Sequence, residues 1–278
     1  MAQEDENTDG LGAEMSFLQH LEVLRWHLIR AAFAILVFAI GAFIYMEYIF
    51  DEILLAPKSS DFVTFRMLCR FSREVMGNDA MCMASTDINL INTDISGQFS
   101  NHLYVSLVVG IVLAFPYVLW EIWRFIRPAL RENEARSASG IIFWCSLLFF
   151  TGITFGYFIV SPLAVNFLGN YQITEQIQNL IDFNSYISIV TVTTLLTGLV
   201  FELPIISYVL SKLGILTPGF MRKYRRHAVV IILITAAIIT PSPDIVSQML
   251  VAVPLYVLYE ISIRVSARIE RNRAKQAI

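Results

Sequence analysis

Residues Tyr186–Leu210 read YISIVTVTTLLTGLVFELPIISYVL. A helix needs about 20 apolar residues to cross about 30 Å of hydrocarbon, and this run is long enough. Yet it holds an acid, Glu202, with Pro204 two residues on. A carboxylate at membrane depth costs about 3 kcal/mol on insertion scales. Glu202 lies about eight residues from the nearer end of its helix, roughly 12 Å deep by helical rise. Pro204 removes the backbone N–H that would bond the carbonyl of Val200, so the helix bends and a polar group is exposed. An acid beside a bend implies a concave, partly wet surface. One reading is a polar docking or conduction site; the other is a protonated acid that only packs. Ionisable residues inside membranes are functional by default, which favours the first.

The rest of the chain agrees with a membrane protein. It is 56% hydrophobic and only 15% charged, where soluble domains carry about a quarter charged residues. Further apolar segments lie at about 29–50, 103–123, 140–160, 228–240 and 245–263. Residues 228–240 make only about 13 residues, or roughly 20 Å of helix, too short to span a normal bilayer unaided. The expected fold is therefore an all-α polytopic membrane protein with six transmembrane helices, the fifth and sixth short. The membrane domain covers 16–265, between a disordered acidic tail (1–15) and a basic tail (266–278). Arginine and lysine cluster at 124–139 (Arg124, Arg127, Arg131, Arg136), at 211–227 and after Arg264, whereas 161–185 and 241–244 hold none. By the positive-inside rule, both termini face the cytoplasm.

That orientation puts the loop 58–100 outside. Cys69 and Cys82 share this loop and can be bridged in an oxidising compartment; two packed, reduced thiols are the alternative. Cys145 reads as a small core residue. Ser16 to Gln19 forms a capping box for an interfacial helix that runs into the first span. Thr217-Pro218 starts another short helix, threonine as cap and proline in first position. Gly152 and Gly156 make a GxxxG suited to close helix packing.

No phosphate-binding, dinucleotide-binding, zinc-protease or CxxC motif is present. His20, His27, His102 and His227 are scattered, and nothing resembles a nucleophile with its base. The net charge of -3 offers no basic surface for nucleic acid. A carrier, channel or receptor is expected, without cofactor or metal. A proton- or cation-coupled secondary transporter would use Glu202 as its ion site. A translocase subunit would use it to meet another polypeptide's membrane segment. Transporters usually carry internal repeats with matching broken helices, and the short fifth and sixth segments have no counterpart in the first half.

Several stretches then combine: SFLQHLEVLR from Ser16, LAPKS from Leu55, FPYVLWEIWRFIRPALRENE from Phe115, GYFIVSPLAVNFL from Gly156, FELPI from Phe201 and TPSPDIVSQMLVAVPLYVLYE from Thr240. Together they resemble the TatC family, the multispanning receptor subunit of the twin-arginine protein translocase. The resemblance implies six helices in a concave cup in the bacterial cytoplasmic (inner) membrane. It implies export of folded proteins driven by the proton-motive force. It also implies the single-span proteins TatA and TatB as partners, self-association in the complex, and no enzymatic activity.

By the same resemblance, Glu134 binds the paired arginines of signal peptides, with Phe125 and Pro128 at the family spacing before it. Arginine forks bind carboxylates bidentately, which lysine cannot copy. In the family pattern H-L-x-E-L-R, His20, Leu21, Leu24 and Arg25 match, but Val23 occupies the place of the acid. Glu22 precedes it, about 100° around the helix, and is expected to contribute to the site. The alternative is a pair with Arg25 worth a few tenths of a kcal/mol. Glu202 and Gln248 match polar residues that meet TatA or TatB. Pro57 and Asp244 match positions that shape the outer cap.

Overall fold

The computed structural model describes residues 17–59, 61–77, 89–126, 138–174, 179–212, 214–240 and 245–276. Glu134, Pro128, Asp244, Cys82 and Ser16 lie outside the described residues, as do the side chains of residues 17–20, including His20.

The architecture is all-α. Helix α1 (Phe17–Ile44) is continuous, so the expected interfacial helix and first span are one rod, ending before residue 50. Short helical turns at Met46–Tyr48, Ile49–Leu54 and Ala56–Lys58 lead to α2 (Val63–Phe71). Helices α3 (Gly97–Ile126), α4 (Ala138–Phe155) and α5 (Ser161–Asn170) follow, with a π-type turn at Gly156–Val160 joining the last two. Then come α6 (Phe183–Val200), α7 (Leu203–Lys212), α8 (Pro218–Lys223), α9 (Arg225–Ile239) and α10 (Ile245–Gln276).

Five stretches are long and apolar enough to cross a membrane: Leu21–Ile44, Gly97–Phe125, Gly140–Asn170, Phe183–Lys212 and Ser247–Asn272. Helix α9 has 15 residues, or roughly 22 Å, and is short as expected. The last helix corrects the sequence reading: α10 is 32 residues long, not short. Past Ile263 its arginines, alanines and glutamates are good helix formers, so the helix continues into the basic tail.

Local chemistry sets the boundaries. Asp182 caps α6, its carboxylate accepting from the backbone N–H of Asn184 (3.0 Å) and Ser185 (3.3 Å). Thr217 caps α8 by accepting from Phe220 N–H at 3.2 Å, with Pro218 in first position, as read from the sequence. Gly214 follows α7 with φ 79°, where a side chain would be strained. The hydroxyls in the apolar helices mostly bond back one turn. Thr191, Thr193 and Thr197 of α6 each donate to the carbonyl four residues earlier, which removes the cost of burying them.

Helices α1 and α3 pair antiparallel. At the end where α1 begins, the proximal end, His27 meets Glu121; at the distal end the rings of Phe43 and His102 stack at 3.9 Å. Helices α4 and α6 meet through glycines. A Cβ on Gly152 would lie 2.8 Å from Gly198 Cα, and one on Gly156 would lie 2.9 Å from Thr194 Cα. This is the close packing that the GxxxG implied. One core cluster, including Met46, Val105, Tyr186 and Ile187, closes the distal end, while another gathers Phe201, Ile232, Val251 and Leu255 from α6 to α10. Large apolar side chains on the outer faces, such as Phe33 and Ile40 of α1 and Phe143 and Trp144 of α4, are exposed.

The described parts of the long loop after the first span are docked on the helices. Phe62 stacks on Phe158, and Thr64 donates to the Phe158 carbonyl. A two-residue parallel pairing, β1 (Leu90–Ile91) with β2 (Ile181–Asp182), joins the loop to the approach to α6. Pro57 is fully buried. Tyr157 and Tyr186 donate to the carbonyls of Ile53 and Leu54 at 2.6 and 2.8 Å. Cys69 is disulfide-bonded, while Cys145 is free and buried.

Candidate functional site

Two polar zones stand out. The first lies at the proximal end, between the start of α1 and the end of α3. Glu22, Val23 and Arg25 are exposed on α1. Phe125, half-buried, is near the end of α3, where residues 127–137 begin. The His27 ring approaches Phe125 edge-on, with centroids 6.2 Å apart and planes at 63°. Val23, in the place of the family acid, is 37% exposed.

Beneath this surface is a residue that the sequence reading passed over. Glu121 of α3 is only 1% exposed. Its Oε2 lies 2.5 Å from His27 Nδ1, and its Oε1 accepts from the Tyr117 hydroxyl at 3.0 Å. Arg124 Nη1 stands 3.7 Å from the same Oε1. Burying a carboxylate is expensive unless both oxygens find donors, and here both do. The signal was available in part: Glu121 is an acid inside the apolar run 103–123, although it lies nearer the end of its run than Glu202 does, where the insertion cost is smaller. His27, read as one of four scattered histidines, is its partner.

The second zone is built around Glu202. Helix α6 ends at Val200, Phe201 and Glu202 form a turn, and α7 begins at Leu203. The bend expected from Pro204 is thus present as a local turn, with the acid inside it. The Ile205 and Ile206 N–H groups both donate to the Glu202 carbonyl at 3.0 Å and restart the helix. Glu202 is 8% exposed and faces the Cys145 thiol of α4. Its Oε1 is buried without a hydrogen-bond partner among the described residues. An unsatisfied buried acceptor costs about 1–3 kcal/mol.

Gln248 of α10 is half-buried, and its amide donates to the Leu233 carbonyl of α9 at 3.1 Å. It therefore ties α9 to α10, and no hydrogen bond joins it to Glu202 among the described residues. At the proximal end of this half, Arg225 pairs with Glu260 through Nε–Oε1 at 2.8 Å and Nη2–Oε2 at 3.0 Å. The Ser211 hydroxyl donates to Ser266 at 2.7 Å. Among the described residues no group of His, Cys, Asp and Glu side chains could hold a metal ion.

Five helical stretches long and apolar enough to cross a membrane, one of them with a buried acid at its bend, define a polytopic membrane protein. The family model for the Sec-independent protein translocase protein TatC matches residues 19–254, and the chain belongs to that family. It is 35% identical over 261 residues to the Sec-independent protein translocase protein TatC of Blattabacterium sp. subsp. Periplaneta americana, covering 94% of this chain and 98% of the relative. The TatC of Aquifex aeolicus is 34% identical over 250 residues, covering 90% and 93%. Two crystal structures of the twin-arginine translocase receptor TatC share the fold. One has a TM-score of 0.64 at 32% identity, covering 90% of this chain and 99% of the other. The second, in DDM, has 0.66 at 34%, covering 88% and 97%. The chain is accordingly a multispanning component of Sec-independent protein translocation, in a family of translocase proteins rather than enzymes.

Proposed function

We propose that this chain is the receptor core of a twin-arginine translocase. It binds twin-arginine signal peptides at its proximal end and assembles with TatA- and TatB-type single-span proteins. It lies in the bacterial inner membrane with both termini in the cytoplasm and serves export of folded proteins driven by the proton-motive force. Glu134 is the principal carboxylate for the paired arginines. Glu22 and Arg25, exposed on the first turns of α1, complete the surface together with Phe125 and His20. The solved receptors with the same fold support this reading, since each is a twin-arginine translocase receptor.

The observation that carries the assembly half is Glu202. Its Oε1 is buried at a helix bend and lacks a donor among the described residues. A neighbouring transmembrane helix with a polar residue near its start supplies that donor. Gln248 and the short α9 form the adjoining edge. A small-solute transporter has less support, because the family is one of protein translocases. The bonded state of Cys69 fits a pairing with Cys82 in an oxidising outer compartment. The deciding experiment is site-specific crosslinking of a twin-arginine signal peptide to positions around Glu22 and Glu134. Strong adducts there, absent when the paired arginines become lysines, are expected. Adducts only elsewhere on the chain remove the proximal site.

A further inference from the structure

The pair His27 and Glu121 lies beneath the proximal surface and borders it through Phe125. We propose that His27 and Glu121 form a latch that sets the register of α1 against α3, and are thereby positioning residues for the signal-peptide surface. The inference rests on the receptor reading above.

Three pins hold α1 against α3 among the described residues, and residue numbers on α1 fall as those on α3 rise. At the distal end Phe43 stacks on His102, whose Nε2 lies 3.1 Å from the Phe43 carbonyl. At mid-height Gly110 lets the backbones touch, since a Cβ there would lie 2.8 Å from the Ile35 carbonyl oxygen and 2.9 Å from Ala39 Cβ. Near the proximal end the pin is the bond between His27 and Glu121. The first two pins are a ring stack with one hydrogen bond to a backbone carbonyl, and a close approach. The third is a directional bond between ionisable groups.

Position explains why that difference matters. Glu22 and Arg25 lie within two turns of His27 on α1, and Phe125 is one turn beyond Glu121 on α3. A twin-arginine segment read by Glu22, Phe125 and the following Glu134 needs those two helix ends in fixed relation. Apolar packing alone tolerates sliding and rotation; a carboxylate held by an imidazole, a phenol and a guanidinium does not. Glu121 has those donors from two helices: His27 from α1, and Tyr117 and Arg124 from its own helix. The His27 ring also meets Phe125, so the latch touches the binding surface directly. A buried ion pair adds little net stability compared with apolar residues of similar size, and registry is its best-attested use.

The test uses the full chain in native membranes with its TatB-type partner. It measures the affinity of a fluorescent twin-arginine signal peptide and of the same peptide with paired lysines. The double variant His27→Leu/Glu121→Leu keeps the interface apolar, while Glu121→Gln keeps acceptor and shape. For the double variant we expect normal membrane levels and about tenfold weaker twin-arginine binding, as fits a surface that is no longer preorganised. The arginine-over-lysine preference should collapse with it. Glu121→Gln should stay within about threefold of wild type, a rescue that a purely electrostatic role would not allow. Simple loss of fold lowers the amount of sites, not the ratio of the two affinities. If the double variant keeps affinity and preference while Glu134→Gln loses both, the latch is overturned and the receptor reading stands. If Glu134→Gln also keeps both, the receptor reading itself fails. Should the double variant not accumulate, Tyr117→Phe decides: the preference must fall about threefold, and an unchanged ratio overturns the latch.

Discussion

Gly152 of α4 and Gly198 of α6 meet backbone to backbone, so that a Cβ on Gly152 would lie 2.8 Å from Gly198 Cα and 2.8 Å from Phe201 Cβ. The obstacles are the Gly198 backbone and the Cβ of Phe201, and no rotamer change moves either. Overpacking of this kind costs typically about 1–3 kcal/mol. Gly152→Ala should therefore lower the melting temperature of the purified protein clearly, whereas Gly140→Ala, with nothing within 4 Å of its added Cβ, should not. Equal melting temperatures would show that α4 and α6 separate at little cost. The close approach also bears on function, because Glu202 lies one turn beyond Gly198. Moving α6 moves the acid.

Glu202 makes the opposite prediction for stability. Its Oε1 is buried without a donor among the described residues of the isolated chain. Replacing it by a leucine of similar size removes the unsatisfied acceptor, so Glu202→Leu should stabilise the isolated protein, by about 1 kcal/mol or more. The same change should weaken crosslinking to TatA- or TatB-type helices, with signal-peptide crosslinking retained. A more stable chain that holds its partner less well is the expected pattern when a group is kept for a visitor. A destabilised Glu202→Leu protein would mean that the acid is satisfied internally.

On the receptor reading proposed above, Glu134→Ala should abolish export of twin-arginine cargo while the chain still inserts at normal levels. Val23 is exposed on the first turns of α1 next to Glu22. Val23→Glu adds a carboxylate able to take a guanidinium bidentately. It should tighten twin-arginine peptide binding by about three- to tenfold, measured in membranes at fixed salt. Unchanged binding would mean that Glu22 already does this task or that α1 contributes no acid.

How much of this was legible follows from what each signal depends on. The short α9, the Thr217 cap and the Gly152–Gly156 packing are local patterns, and they stand in the structure as read. The turn at Glu202 was half legible. Pro204 announced a bend, but not that Phe201 would pack against α9 and α10 or that Glu202 would face Cys145 of α4, which are contacts between distant parts of the chain. The length of α10 was missed because hydropathy falls after Ile263 while helix propensity does not. The pairing of His27 with Glu121 joins residues 94 positions apart in the chain. No spacing rule reaches that far; only the register of α1 against α3 brings them together.

Gln248 is the residue for which structure and resemblance suggest different tasks. Its amide donates to the Leu233 carbonyl at 3.1 Å, so one of its two N–H donors is already used within the chain. Helix α9, at 15 residues, needs such ties, since it cannot match a normal bilayer alone. Gln248→Leu removes one side-chain hydrogen bond, worth about 1 kcal/mol, and should loosen α9 from α10. Amide hydrogen exchange along residues 228–239 should quicken several-fold, and crosslinking of a single-span partner to α9 should fall in step. The two readouts separate the roles. If the partner no longer crosslinks while α9 exchange is unchanged, Gln248 touches the partner with a group other than this amide donor. If exchange quickens while crosslinking persists, the tie is purely internal and the docking edge is set by Glu202 and the α9 backbone.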